Sequence, residues 1–197
     1  MKKVLIASKN AGKIAEFRRM LTPQGYEVVS LLDYPDAPDV EETGDTFQEN
    51  ARLKSEAISQ KFDCAAIADD SGLVVEALDG RPGVYSARYA GEEKDDQKNI
   101  DKVLDEISDV PMPERTAHFV CVLAVSVPGS PTLFVEGKCH GLIAQEPAGN
   151  QGFGYDPIFY IPDKGKTFAE LSGEEKNEIS HRAIALKKLE AQMSSLA

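Results

Sequence analysis

Short apolar runs alternate along this chain with stretches whose apolar residues recur every three or four positions. Val4 to Ala7, inside Lys2–Ser8, is a continuous apolar run and predicts a first strand. Ile14, Phe17 and Leu21 then recur at helical spacing. Tyr26 to Leu32 predicts a second strand after a turn at Gly25, and the proline-bearing stretch Asp33 to Asp39 predicts a loop. Thr46-Phe47-Gln48-Glu49 has the form of a capping box, with Thr46 as N-cap and Glu49 three residues on. It predicts a helix to about Lys61, with Phe47, Ala51, Ile58 and Phe62 inward and Lys54 bordering that face. Ala65 to Ala68 predicts a buried strand that ends in a turn at Asp69-Asp70-Ser71-Gly72, and Leu73 to Val75 leads out of it. Gly80 to Gly83 reads as a tight turn, and Tyr85 to Tyr89 as a loop or short helix. Asp95 to Ile107 predicts a surface helix with Ile100, Val103, Leu104 and Ile107 inward. Ala117–Val127 and Thr132–Glu136 predict paired strands, with a further strand over Lys138–Gln145. The proline loops near Asp33–Asp39 and Ser108–Glu114 mark the expected lobe boundaries.

Composition narrows the function classes. At 197 residues the chain can bury a sizeable core, as one domain or two small lobes. A formal net charge of −11 argues against a non-specific nucleic-acid binder, which needs a basic surface. Clustered lysines and a divalent cation can still hold a nucleotide locally. Cys64, Cys121 and Cys139 are widely spaced, and an odd number of them points to a reducing compartment. No stretch approaches the length of a membrane span, and Met1 to Ile6 runs straight into a strand pattern rather than a signal sequence. The expectation is a cytoplasmic protein that binds neither membrane nor nucleic acid.

Several stretches carry candidate chemistry. Ser8-Lys9-Asn10-Ala11-Gly12-Lys13 lies between strand and helix, a layout in which helix amides and lysines attract phosphate. It is not a P-loop, because the first glycine is missing and Ile14 stands where Ser or Thr would hold magnesium. It reads equally as a plain connection with solvated lysines. Asp69 and Asp70 are open between turn residues that bond their own backbone and catalytic carboxylates. A strand would aim them to opposite faces, so at most one serves a given site. Pro147 to Pro157 brings glycines together with Phe153 and Tyr155, whose rings either stack on a base or plug the core. Ser172-Gly173-Glu174-Glu175 is a second capping box, followed by Lys176, Ser180, His181 and Arg182.

Taken in order, SKNAGK, EETG with FQENARLKSEA, ADDSGL, PGVYSARYAG, EPAG with GFGYDPIF, and EKN with ISHRAIAL resemble the Ham1 family of inosine triphosphate pyrophosphatases almost end to end. GFGYDP with SHR is the specific part. Where the family has Thr-Gly-Asn, this chain has Ser8-Lys9-Asn10. The resemblance implies one elongated α/β domain over residues 1–197, with a central mixed sheet flanked by helices and a cleft between two lobes. It implies a Mg2+-dependent homodimer that cleaves ITP, dITP and XTP to the monophosphate and pyrophosphate. By the same resemblance, Ser8, Lys9, Asn10, Ala11, Gly12 and Lys13 contact phosphate, as does Lys54. Asp70 is the catalytic carboxylate and a metal ligand, with Glu41, or alternatively Glu42, as the second. Ser71, Phe153, Gly154, Tyr155, Asp156, Lys176, His181 and Arg182 complete the nucleotide site.

These residue types suit that chemistry. A triphosphate carries about four negative charges that repel an attacking water, and lysines with magnesium screen them. A carboxylate beside the metal can orient water or take its proton. Donors from His181 or Arg182 would pair with a 6-keto oxygen and be left unpaired by adenine's 6-amino group. One continuous helix over Lys176–Leu189 would aim Lys176, His181 and Arg182 in three directions. A break is therefore expected before Ser180, with Ser180 as N-cap and Ala183, Leu186 and Leu189 on the buried stripe. Two other classes remain: a phosphate-ester hydrolase with Asp69 or Asp70 as nucleophile, which the lack of a D-x-D after the first strand disfavours, and a nucleotide sensor without turnover.

Overall fold

The computed structural model describes residues 2–195. Seven strands form a mixed sheet in the order β2-β1-β3-β4-β5-β6-β7. They are β1 Lys2–Ile6, β2 Tyr26–Ser30, β3 Ala66–Val75, β4 Thr116–Ser126, β5 Leu133–Ile143, β6 Phe159–Ile161 and β7 Lys166–Thr167. The helices are α1 Ala11–Leu21, α2 Phe47–Phe62, α3 Asp96–Glu106, α4 Gly173–Ile179 and α5 His181–Ser195. β1 runs parallel to β2 and β3, whereas β6 is antiparallel to both its neighbours.

The contacts divide the chain into two compact units. The first takes the described residues up to Asp70, then Cys121–Gly137 and the chain from Ala183 on; the second takes Ser71–Val120 and Lys138–Arg182. The division falls inside β3, β4 and β5 and at the start of α5, not at the two proline loops where the sequence placed it. Those loops are short and are tied down locally. The Ser108–Glu114 loop, for example, is fastened by the buried Arg115 guanidinium, which donates to the carbonyls of Ile107, Val110 and Ala144.

In the first unit, strand alternation builds two cores. Val4 and Ile6 pack with Phe17 and Leu21 of α1 and with Leu186 and Leu189 of α5. Leu5 and Ala7 pack with Ile58 of α2 and with Ala66 and Ala68 of β3. A strand covered on both faces must be apolar at every position, which explains the unbroken run Val4–Ala7. In the second unit, Leu73 and Val75 of β3 pack with Ile100 and Val103 of α3 and with Phe159 and Phe168.

Two readings of the sequence are corrected. Asp69-Asp70-Ser71-Gly72 is not a turn, because β3 continues through it from Ala66 to Val75. Likewise the separate strands expected over Thr132–Glu136 and Lys138–Gln145 are one strand, β5. In both places polar or glycine residues look like punctuation in sequence, but neighbouring strands override that local preference.

Local signals succeeded where the interactions are local. Thr46 accepts from the Glu49 amide while the Glu49 carboxylate accepts from the Thr46 amide, and Ser172 and Glu175 do the same for α4. Ser180 is extended, between Ile179 at the end of α4 and His181 at the start of α5, so the break is where it was expected. Ala183, Leu186 and Leu189 are buried on α5. Helix α2 is also pinned from its side. Ser55 Oγ lies 2.7 Å from Ser126 Oγ, which lies 3.0 Å from Thr132 Oγ1, and that hydroxyl donates to Glu56 at 2.8 Å.

Replacing Thr46 by Ala removes the acceptor for the Glu49 amide. It should lower the free energy of unfolding by about 1 kcal/mol, read from urea titration.

Candidate active site

The first unit gathers three acids and two lysines. The polar stretch after β1 is shorter than the sequence implied. Asn10, extended, accepts from the Lys13 amide at 3.0 Å and so caps α1; Ala11, Gly12 and Lys13 form its first turn. Ser8 Oγ accepts from the Asn10 amide at 3.1 Å. The first turn of α1 contains no acidic residue of its own. Lys9 does not adopt a left-handed backbone, so the position does not need glycine's freedom, and its ammonium lies 2.6 Å from Asp39.

Asp69 and Asp70 are both buried in β3. Lys13 Nζ lies 2.6 Å from Asp69 Oδ1, and the Cys121 thiol donates to Asp69 Oδ2 at 3.2 Å. Lys54 Nζ donates to Glu42 Oε1 at 2.6 Å, to the Asp69 carbonyl at 2.9 Å and to Asp70 Oδ1 at 3.0 Å. Lys13 Nζ also reaches that carbonyl, at 3.4 Å. Strand alternation thus gives each aspartate its own lysine, while the main-chain oxygen between them contacts both.

Two carboxylates therefore compete for the Lys54 ammonium. Burial pushes the Asp70 carboxyl up to about 6, with Lys54 and Lys13 pulling it down and Glu42 pushing it further up. Glu42 moves the other way: burial raises it, but Lys54 outweighs burial and holds it below the usual range. For Lys54, burial is outweighed by Asp70 and Glu42, and its pKa rises. The closer Glu42 wins the ion pair, and Asp70 is left as the weaker acid. Asp70 Oδ2 is buried and has no hydrogen-bond partner.

That orphaned oxygen fits a cation. Among the described residues no three His, Cys, Asp or Glu side chains converge on one point. Magnesium does not need such a cage, since it takes one or two carboxylates and fills its shell with water and phosphate oxygens. Asp70 can supply one carboxylate. Glu42 stands next to it on Lys54, whereas Glu41 is exposed to solvent.

The second unit holds the other expected residues. Asp156 Oδ2 accepts from Lys176 Nζ at 2.6 Å and from the Phe153 amide at 3.1 Å, so one carboxylate oxygen fixes both. Lys176 Nζ also lies over the Phe153 ring, 5.3 Å from its centre. Gly152 has φ +76°, and a Cβ there would strike the Asp156 carboxylate. The Gly154 amide donates to Asp96 Oδ2 at 2.8 Å. Tyr155 is buried and donates its hydroxyl to the Ser86 carbonyl at 2.7 Å; burial pushes that hydroxyl's pKa far up. Of the two rings, Tyr155 therefore plugs the core and Phe153, half-buried, is the one left to stack. His181 stacks on Phe119 with ring centres 4.7 Å apart, and Arg182 donates to Ser71 Oγ at 3.1 Å.

Asp69, Cys121, Asp96 and Phe119 were not singled out for these roles. Their partners lie 52 to 58 residues away or on another element, and no local spacing announces such contacts.

Comparison with known proteins gives a consistent result. The model of the Ham1 family matches residues 4–192. A dITP/XTP pyrophosphatase of Geobacillus kaustophilus is 61% identical over 196 residues, covering 100% of this chain and 96% of that protein. One from Bacillus subtilis is 57% identical over 189 residues, covering 96% of each. The solved structure of the Staphylococcus aureus Ham1 protein matches with a TM-score of 0.87 at 47% identity, over 100% of both chains. A HAM1 protein from Coxiella burnetii matches with the same TM-score at 41% identity, over 99% of this chain and 100% of that one.

The raised Asp70 pKa has a signed consequence for stability. Between its ordinary value of 3.8 and about 6 the folded state binds the extra proton, so stability falls as pH rises through that window. In metal-free buffer, Asp70→Asn should be more stable than the parent at pH 8, by at most about 3 kcal/mol, with the gap closing below about pH 4. Thermal melts across that range measure it. In the second unit, Asp156→Asn should loosen Lys176 and the Phe153 loop together. Amide hydrogen exchange at Phe153 should speed up, while exchange in α2 stays unchanged.

Proposed function

The chain belongs to the Ham1 family, and from that membership and the geometry of its two acid–base clusters we propose that it hydrolyses non-standard purine nucleoside triphosphates, ITP, dITP and XTP, to the monophosphate and pyrophosphate. The observation that carries the proposal is Asp70: a buried carboxyl with a raised pKa, an orphaned oxygen, Lys54 paired to it and Lys13 paired to the adjoining Asp69. The dITP/XTP pyrophosphatase relatives give the substrate class.

In this reading Lys13, Lys54 and the first turn of α1, with Ser8 and Asn10 shaping its start, take the triphosphate. Lys54 is already desolvated and aligned, so turning it from Asp70 toward a phosphate oxygen exchanges one anion for another. Asp70 then orients the water that attacks the α-phosphorus or accepts its proton. Asp70 and Glu42 would hold Mg2+, which supplies charge neutralisation and acidifies bound water. Phe153 stacks on the base, Lys176 is steered by Asp156, and His181 and Arg182 donate to a 6-keto oxygen. Adenine would leave those donors unpaired. The family resemblance also implies a homodimer, and a cytoplasmic one.

A nucleotide panel with product analysis tests the proposal. Pyrophosphate and IMP from ITP, with little turnover of ATP, are expected. Orthophosphate release would instead indicate a phosphatase, and tight binding without turnover a sensor. Lys13→Ala and Lys54→Ala should each lower kcat/KM by about 10²–10³-fold for ITP and XTP alike, the scale of losing one buried charge-stabilising donor. A loss confined to one base would contradict their assignment. Glu42→Gln should raise the Mg2+ concentration needed for half-maximal rate more than Glu41→Gln does.

A further inference from the structure

Two of the three histidines lie outside everything described so far. His118 is on β4 and His140 on β5, neighbouring strands of the sheet. The Ile143 amide donates to the Arg115 carbonyl across these strands. Three residues further along one strand and three back along the other bring His118 opposite His140. Their flanking residues, Ala117 and Phe119 on one strand and Cys139 on the other, are buried, so the imidazoles share the opposite side, where His140 is exposed and His118 partly covered.

We propose that His118 and His140 form a chelate site for a divalent transition-metal ion of borderline softness, such as Ni2+ or Zn2+, with Glu76 as its orienting partner. The first support is distance. Two imidazoles on one tetrahedral ion, with metal–nitrogen bonds of about 2.0–2.1 Å and ring centres about 1.1 Å beyond the nitrogens, have centroids about 5.2 Å apart. The observed separation is 5.3 Å, with the rings tilted by 39°. A stacked or edge-on aromatic pair would serve equally for packing at His118, whose side chain is only 16% exposed, but the His140 ring it faces is exposed to solvent.

The second support is the partner of His118. Its Nδ1 lies 3.1 Å from Glu76 Oε1. A carboxylate only accepts, so Nδ1 carries a proton, and in the neutral imidazole the Nε2 lone pair is then left for a metal. Carboxylate, imidazole and metal in that order are the usual arrangement around a bound ion, where the carboxylate fixes the tautomer and raises the ligand's basicity. Glu76 lies at the end of β3, on a one-turn helix Glu76–Leu78, and half its side chain is exposed, so it can follow the ring as the ion seats.

The site is a two-nitrogen chelate and not a cage, since no three ligating side chains converge among the described residues. Water completes the shell, which places affinity in the micromolar range rather than that of a structural zinc. Imidazole donors suit Zn2+, Ni2+ and Cu2+, whereas the oxygen-only set at Asp70 suits Mg2+. The two sites should therefore sort metals by softness, and millimolar Mg2+ should not displace the ion from the histidines.

Tag-free protein titrated with Ni2+ in excess Mg2+, followed by calorimetry or equilibrium dialysis, tests this. One equivalent should bind. His118→Gln and His140→Gln should each weaken binding by at least 30-fold, and Glu76→Gln by about 10-fold, the scale of losing an outer-shell carboxylate. Mg2+-dependent turnover without Ni2+ should be unchanged in all three. Stoichiometric binding that survives both histidine changes, binding lost on Cys64→Ser or His181→Gln instead, or no binding below millimolar Ni2+ would each overturn the proposal.

Discussion

The Lys54 ammonium touches Glu42, Asp70 and the main-chain oxygen of Asp69, and much of the first unit is arranged so that it can. Two neighbouring carboxylates, one buried and one half-buried, cannot both ionise cheaply without a cation between them. A lysine 15 residues upstream, on the face of α2, supplies it. The capping box fixes where α2 begins, the hydroxyl chain from Ser55 to Glu56 fixes its side, and Ala51 and Ile58 fix its depth. Remove any of these and the ammonium drifts from acids that remain buried. Lys13 does the same for Asp69 from α1, again placed by a cap, Asn10.

The second unit repeats the device with different partners. Asp156 is buried with Lys176 on one of its oxygens, and Phe153 is drawn in through its amide. Here the cation also faces two aromatic rings, Phe153 and Phe168, at 5.3 Å each. A positive charge held over ring faces retains attraction for an electron-rich heterocycle that approaches from the same side. His181 gains its rigidity from Phe119, which belongs to the core. Lys176 and His181 are thus extensions of the hydrophobic packing.

How much of this was legible in sequence depended on range. The capping boxes at Thr46 and Ser172, the break at Ser180 and the inward stripe of α5 were legible because each is settled within a few residues. The path of the chain through Asp69-Asp70-Ser71-Gly72 was not. Four polar or small residues read as a turn until strands on both sides, and lysines from two helices, make an extended, buried acid pair tolerable. The same holds for Gly137, which looks like a strand end but lies in the middle of β5. Tyr155 shows the limit from the other direction: the motif presents two rings, and only the hydroxyl bond to Ser86 tells which of them is structural. The family resemblance pointed to Asp70, Lys13 and Lys54, but it could not say that Asp69 carries a lysine of its own.

The oxygen that Lys13 and Lys54 share belongs to the peptide group of residue 69, not to its side chain. Genetic drift can rewrite every side chain in the neighbourhood, but it cannot delete a carbonyl. The acceptor that the two ammonium groups share thus comes with the strand's path, whatever side chain stands at position 69. A change to an acid around them leaves that shared acceptor in place as long as β3 stays extended.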